Sequence, residues 1–327
     1  MMDWTDRHCR VFHRQFTART LLYTEMVTAA AIVHGNADRL LSHHPVERPL
    51  ALQLGGADPD ELAAAARIGR AHGFDEINLN VGCPSDRVRS GCFGAALMRT
   101  PGLVAECAAA MAEAAGPIPV TVKCRIGVDA QDPDVVLPDL LGRLRAAGIG
   151  RVAIHARKAW LQGLSPKENR EVPPLDHDLV VRTKAAFPDL AVVINGGIDG
   201  LATAADFLAR GLDGVMIGRA AYHDPALLGA ADRLIFGGPG RDIDAETAVE
   251  AMLPYIEGEL ARGTRLHAIT RHMLGAFHGR PGARAWRRML SEGAHARGAG
   301  PELVRAALAQ VASPVPAEPR QRRLAEA

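Results

Sequence analysis

Residues 78–86, NLNVGCPSD, contain the group in this chain that is best suited to acid–base chemistry, the thiol of Cys83. The overlapping segment 76–80, EINLN, alternates polar and apolar residues as a strand does, and Gly82 and Pro84 end the strand. Cys83 is therefore expected on a loop after a strand, where barrel enzymes keep their catalytic groups. An ordinary thiol is protonated at neutral pH and can donate a proton. The alternative for a lone cysteine is a buried hydrophobic role.

Polar side chains lie at or near the ends of this and several other apolar runs, namely Gln53, Asn80, Lys123, His155 and Asn195. The carboxyl ends of parallel strands meet at one edge of a sheet, so these side chains are expected around one site. The ammonium of Lys123 would be costly to bury without an anionic or electron-rich partner. The ring of a reduced flavin is such a partner, and Gln53 is placed to bind its pyrimidine edge. Interior residues satisfied by neighbouring protein groups are the alternative.

Two glycine-containing loops follow the last two apolar runs, Asn195-Gly196-Gly197-Ile198 and Ile217-Gly218-Arg219-Ala220. Barrels of this class often bind a phosphate there through backbone N–H groups, and an arginine adds a charged fork. Gly196, Gly197, Gly218 and Arg219 are therefore predicted to bind phosphate. Taken with Lys123 and Gln53, they favour FMN over a sugar phosphate. Ordinary turns are the alternative.

Short apolar runs alternate with alanine-rich helical segments through the first two thirds of the chain. The runs cover residues 21–24, 50–54, 77–80, 120–124, 152–155, 192–195 and 214–217. Repeated βα units predict a parallel sheet with helices outside, and no glycine-rich phosphate loop opens the series as in a doubly wound sheet. The expected fold class is α/β, a (β/α)₈ TIM barrel followed by a small C-terminal helical bundle.

The first strand of the barrel has no counterpart among the runs, which number seven where a closed barrel needs eight. Residues 2–10, MDWTDRHCR, resemble the loop and helix that follow a strand. Either another segment closes the barrel or the first strand is encoded upstream of Met1. We expect the second, because a missing strand would leave two sheet edges unpaired.

Gly and Pro residues around 236–240 mark a boundary between two domains. We assign residues 1–236 to an FMN-binding barrel, 241–312 to a helical domain and 313–327 to a disordered tail. Residues 262–327 carry 12 Arg and 4 Glu, a net charge of +8, against a total of +1 for the chain. This segregation indicates a polyanionic partner, although a general preference for Arg over Lys would explain the choice of residue.

The cysteines and the N-terminus limit the compartment and the cofactors. Five cysteines, an odd number without CxxC spacing, favour a reduced cytoplasm and imply no metal. A hydrophobic content of 48% is ordinary for a globular protein. Neither a signal peptide nor an apolar run of membrane-spanning length is apparent, so no membrane association is expected.

The combined motifs resemble those of the tRNA-dihydrouridine synthases. They are MDWTD at 2–6, QLGG at 53–56, NVGCP at 80–84, VKCRIG at 122–127, HAR at 155–157, NGGI at 195–198 and IGRA at 217–220. Residues 158–170, KAWLQGLSPKENR, are similar to the bacterial subfamily that modifies D-loop uridines 20 and 20a. The resemblance spans nearly the whole predicted barrel.

The resemblance implies that NADPH, or NADH, reduces FMN, that a hydride passes to C6 of a uridine flipped out of tRNA, and that Cys83 protonates C5. It assigns FMN to Gln53, Lys123, His155, Asn195, Gly196, Gly197, Gly218 and Arg219. It makes residues 241–312 a tRNA-binding domain and assigns contacts with tRNA to Asn80, Lys167, Arg284 and Arg287. The enzyme is expected to be a monomer. The family has Ala-Pro-Met before the position of Asp3, and only the Met is present here. Contacts from that loop are therefore not assigned.

Two other functions remain open at this point. An FMN barrel that reduces a free small molecule, as a dihydropyrimidine-type oxidoreductase does, would not need the arginine-rich helical domain. An RNA-binding protein on a relict barrel would bind tRNA without flavin, and the presence of Cys83 and Lys123 argues against it. A flavin absorbance band separates the two enzymes from the binding protein.

Overall fold

The computed structural model describes residues 1–85 and 93–311, in which eight strands form one parallel sheet. The strands are β1 Leu22–Tyr23, β2 Val27–Thr28, β3 Leu50–Gly55, β4 Glu76–Val81, β5 Val120–Arg125, β6 Arg151–His155, β7 Ala191–Asn195 and β8 Gly214–Met216. They run in the order β1-β3-β4-β5-β6-β7-β8, and β2 pairs with β3 beyond the end of β1. Without β2, the seven strands of this order match the seven apolar runs.

The two ends of this sheet carry β1 and β8. In the described residues, β1 and β2 pair with β3, and β8 pairs with β7. These pairings do not test the prediction of a first strand upstream of Met1.

The helices of this part of the chain include one before the first strand, and those between the strands cover the outer face of the sheet. They are α1 Arg7–Arg14, α2 Ala29–His34, α3 Ala37–Leu40, α4 Pro59–Ala71, α5 Pro101–Ala115, α6 Pro133–Ala146, α7 His177–Ala186, α8 Leu201–Ala209, α9 Arg219–His223 and α10 Ala231–Leu234. Asp58 caps α4 by accepting from Glu61 N–H, and Pro59 fills the first turn. Because side chains alternate along a strand, Leu52, Ile77 and other outward residues join the large apolar cluster under these helices.

A second apolar core lies in the C-terminal bundle. Its helices are α11 Ala245–Ala251, α12 Leu253–Ala261, α13 Leu266–Thr270, α14 Ala283–Gly293 and α15 Pro301–Leu308. Trp286 is fully buried there and donates its indole N–H to Met273 O at 3.1 Å. Val11 and Phe12 of α1 belong to this core and not to the barrel cluster. The start of the chain is thus packed into the C-terminal bundle.

The bundle departs from simple helical periodicity at one place. The continuous helix that the pattern predicts over 245–262 is divided at Met252. Pro254 explains the break, because proline has no N–H and its ring excludes the carbonyl four residues earlier. The predicted tail and Cys92 lie outside the described residues. Among the described helices, none is long and apolar enough to cross a membrane.

Candidate active site

The loop that carries Cys83 is held by the last inward residue of β4. Asn80 Oδ1 accepts from the backbone N–H groups of Gly82, at 3.1 Å, and Cys83, at 2.9 Å. The Cys83 thiol is partly buried and donates to Ser85 Oγ at 3.5 Å. Cys83 O also accepts from Ala95 N–H at 2.9 Å. The predicted acid therefore lies on an ordered turn at the end of a strand, as expected from the sequence.

Asn80 and Gln53 are joined across β3 and β4. Asn80 Nδ2 donates to Gln53 Oε1 at 2.9 Å, and Gln53 Nε2 donates to Asn78 Oδ1 at 2.9 Å. Gln53 and Asn80 are each more than nine-tenths buried. Their amide groups are thus fixed by one another before any ligand binds.

Lys123 brings a cation into the interior of the barrel. Its Nζ donates to Asn195 Oδ1 at 3.3 Å, and Asn195 Nδ2 donates to Met216 O at 2.8 Å. Burial lowers the pKa of Lys123 to about 8, with a further contribution from the charge of Arg125. A Cys83 thiolate would raise this pKa, which places the thiol within electrostatic range of the ammonium.

His155 and the Gly196-Gly197 turn come together at the ends of β6 and β7. Burial lowers the pKa of His155 well below its ordinary value, and Arg125 and Lys123 lower it further. The imidazole is therefore neutral at pH 7. Gly196 and Gly197 have φ of +108° and +70°. A side chain at 196 would meet the His155 ring, so glycine is required both for conformation and for space.

The arginines beside this turn make the mouth of the barrel positive. Arg219 donates to Glu171 Oε1 at 2.9 Å and to Arg170 O at 3.3 Å, and Gly218 precedes it at the start of α9. The guanidinium Nε atoms of Arg157 and Arg170 are buried without a hydrogen-bond partner within the described residues. Burial and the charge of Arg219 lower the pKa of both side chains. An anion would relieve both conditions.

Arg125 is a residue of the site that the sequence analysis did not assign. Its side chain is 3% exposed, and it donates to Gly82 O at 3.0 Å, Lys158 O at 3.0 Å and Asn169 O at 2.9 Å. Burial lowers its pKa to about 10. Arg125 thus joins the Cys83 loop to residues 158–170. Its position two residues after Lys123 was the available signal, since both side chains then share one face of β5.

The predicted tRNA contacts other than Asn80 divide between two places. Lys167 is exposed on the segment that Arg125 holds, directly before the short 3₁₀ helix Glu168–Arg170. Arg284 and Arg287 are exposed on α14, whose opposite face buries Trp286 in the second core. The structure therefore groups Lys167 with the barrel residues, whereas Arg284 and Arg287 belong to the bundle. Among the described residues, no three His, Cys, Asp or Glu side chains are grouped to hold a metal ion.

Comparison with known structures supports the barrel. An old yellow enzyme homologue from Zymomonas mobilis matches with a TM-score of 0.51 at 14% identity, over 75% of this chain and 87% of that chain. A morphinone reductase matches with a TM-score of 0.50 at 14% identity, over 75% of this chain and 84% of that chain. At this level of identity the matches establish the fold.

Sequence comparison identifies the family. The chain is 56% identical over 308 residues to a tRNA-dihydrouridine(20/20a) synthase of Xanthomonas axonopodis pv. citri, covering 94% of this chain and 91% of the relative. It is 55% identical over 313 residues to the protein of the same name from Escherichia coli K12, covering 95% and 90%. The family model described as dihydrouridine synthase matches residues 1–312. The chain therefore belongs to the dihydrouridine synthase family of enzymes.

Proposed function

We propose that this protein reduces uridines 20 and 20a of tRNA to dihydrouridine, with FMN as the cofactor and NADPH, or NADH, as the reductant. The names of the curated relatives support the substrate, and their similarity extends over both cores of the chain. The observation that carries the proposal is the position of Cys83 on a turn that Asn80 holds, within electrostatic range of the buried Lys123.

The residues of the barrel mouth fit a flavin mononucleotide. Gln53 and Lys123 each have N–H hydrogens beyond those used in the bonds described above, and these suit the carbonyl-rich edge of an isoalloxazine. The buried Nε atoms of Arg157 and Arg170 suit a phosphate dianion. Residues proposed to hold FMN are Gln53, Lys123, His155, Asn195, Gly196, Gly197, Gly218 and Arg219. Bound and reduced FMN would supply the hydride for C6 of the uracil.

Cys83 completes the reduction as a general acid. Its S–H bond breaks and a C5–H bond forms on the uracil, which leaves a thiolate at Cys83. Lys123 and Arg125 stabilise that thiolate, because both lie within its electrostatic range. Solvent then returns a proton to Cys83. Asn80 keeps the turn in place and presents its remaining Nδ2 hydrogen to the uracil.

Binding of tRNA would use the charged residues outside the barrel interior. Lys167 would contact the backbone near the flipped uridine, and Arg284 and Arg287 would contact phosphates farther along the tRNA. Phosphate contacts of this kind position the nucleic acid and do not read its sequence. We expect the enzyme to act in the cytoplasm as a monomer.

The replacement Cys83→Ala tests the proposal. The variant is expected to retain FMN and tRNA binding and to lose dihydrouridine formation by ~10²–10⁴-fold, the usual contribution of a general acid. Flavin absorbance and tRNA affinity serve as controls, and dihydrouridine is measured in an unmodified tRNA transcript. Turnover at the wild-type rate would remove Cys83 from the mechanism.

A further inference from the structure

A chain of side-chain hydrogen bonds runs through the barrel from the start of β4 to the Cys83 loop. Asn80 donates to Gln53 and Gln53 to Asn78, and the chain then continues beyond the site described above. Asn78 Nδ2 donates to Thr121 Oγ1 at 2.8 Å, and Thr121 Oγ1 donates to Glu76 Oε1 at 2.5 Å. Each member donates in the same direction, toward Glu76.

The end of this hydrogen-bond chain at the Cys83 turn is fixed by backbone donors. The N–H groups of Gly82 and Cys83 can only donate, so the group of Asn80 that faces them must be Oδ1. Nδ2 of Asn80 then donates to Gln53, which must accept this bond with Oε1. Every following amide is constrained in the same way.

The other end of the hydrogen-bond chain, at the start of β4, is fixed by the carboxylate of Glu76. Glu76 is 1% exposed and receives Thr121 and the Tyr23 hydroxyl, at 2.8 Å, on Oε1, and Arg151 on Oε2. Burial and the charge of Glu76 raise the pKa of Tyr23, which keeps the phenol a donor. An ionised carboxylate surrounded by three donors can only accept. Glu76 therefore sets the direction of the hydrogen-bond chain from the start of β4.

We propose that Glu76 is a positioning residue for catalysis, because it fixes the direction of the hydrogen bonds that hold the Cys83 turn. If the direction reversed, Asn80 Nδ2 would face the N–H groups of Gly82 and Cys83, donor against donor. Glu76 also fixes the orientation of the Gln53 amide toward the flavin. The carboxylate acts through four intervening side chains and contacts neither substrate nor cofactor.

The inference rests on the proposed role of Cys83, but its main test needs no turnover. Alkylation of Cys83 by iodoacetamide reports the order of the turn directly. Trypsin releases residues 71–87 with Cys83 as the single cysteine, so mass spectrometry measures its labelling separately. Cys9 and Cys107 are fully buried and report global unfolding in the same sample.

Two replacements break the direction of the chain. In Glu76→Gln, the new amide must turn its NH₂ either toward Arg151 or toward Thr121 and Tyr23. The second choice takes away the acceptor of the Thr121 hydroxyl and places donors on both sides of it, which favours reversal of the hydroxyl and of the amides that follow it. Thr121→Val removes the link to Glu76 and leaves the carboxylate in place. Both variants are expected to increase the alkylation rate of Cys83 roughly 3- to 10-fold, with Cys9 and Cys107 still protected. We expect kcat to fall roughly 10- to 100-fold.

Two further replacements are matched controls. Tyr23→Phe removes a donor to Glu76 without interrupting the chain. Asp75→Asn removes the neighbouring carboxylate, whose partners are Arg48 and Leu50 N–H. Both are expected to leave the alkylation rate of Cys83 unchanged. The double variant of Glu76→Gln and Thr121→Val should resemble either single variant, because each breaks the same chain.

The outcomes separate the inference from the proposed function. The inference is overturned if Cys83 is alkylated at the wild-type rate in both Glu76→Gln and Thr121→Val. It is also overturned if Tyr23→Phe increases the alkylation rate as much as these two variants do, because Glu76 would then only support the packing around the start of β4. If wild-type protein forms no dihydrouridine while the alkylation pattern is as expected, the reaction is wrongly assigned and the chain still positions Cys83.

Discussion

The replacement Arg125→Met tests whether the hydrogen bonds of Arg125 hold the Cys83 turn in place. Methionine resembles the aliphatic stem of arginine, but it carries no charge and donates no hydrogen bonds. The carbonyls of Gly82, Lys158 and Asn169 would then lose the donors that now lie 2.9–3.0 Å away. The Cys83 turn and residues 158–170 would no longer be joined by one side chain.

The expected magnitude follows from two opposing terms. Each hydrogen bond to a charged donor contributes roughly 1.5–3 kcal/mol, so three lost bonds cost roughly 4.5–9 kcal/mol. Removal of a buried charge offsets part of this cost. The fall of the Arg125 pKa from 12.5 to about 10 corresponds to roughly 3 kcal/mol. The free energy of unfolding is thus expected to decrease by about 2–6 kcal/mol.

Thermal melting and dihydrouridine formation measure the two consequences. Arg125→Lys should be intermediate, because an ammonium on a shorter stem cannot span three carbonyls. Arg99→Met is the matched control, since Arg99 is an exposed arginine that pairs with Asp129 and should cost at most about 1 kcal/mol. If Arg125→Met melts and turns over like wild type, the anchoring role is refuted.

Three other predictions concern charge and backbone. Lys123→Met should be more stable than the wild-type apoprotein at pH 7.5. This difference in stability should decrease between pH 8 and 10.5, because in that range the unfolded wild-type lysine binds more protons than the folded one. A difference in melting temperature that does not change with pH would contradict this. Combined Arg284→Ala and Arg287→Ala should reduce the log–log salt slope of tRNA binding by roughly 0.7–0.9 per contact at unchanged melting temperature, and an unchanged slope would move the contact elsewhere. Gly196→Ala should lower the flavin content after purification, since φ is +108° and the methyl group would meet His155; full flavin content would show that the turn adapts.

Much of the barrel was predictable because strand periodicity is local. The alternation in β4 correctly put Asn78 and Asn80 on one face and Ile77 and Leu79 on the other. The glycines after β7 have the positive φ that a tight turn requires. The break at Met252 also had a local cause, Pro254, which the helical pattern around it concealed.

The parts of the site that escaped prediction depend on contacts between distant segments. Glu76 looked like an ordinary polar strand residue, and its partners Tyr23, Thr121 and Arg151 lie 53, 45 and 75 residues away. The position of Arg125 two residues after Lys123 indicated its face of β5, but not the backbone carbonyls of Gly82, Lys158 and Asn169 that it binds. Arg219 was expected to face a phosphate, and its pairing with Glu171 could not be read from the loop motif.

The packing of α1 in the second core has a consequence for the order of folding. Arg7 binds Glu259 and His8 binds Tyr255, so these contacts close loops of 252 and 247 residues. During synthesis, α1 leaves the ribosome before the C-terminal side chains that cover Val11 and Phe12. Closing such a loop costs entropy that no nearby contact repays. The C-terminal bundle therefore completes its core only after the barrel sheet between these segments has been synthesised.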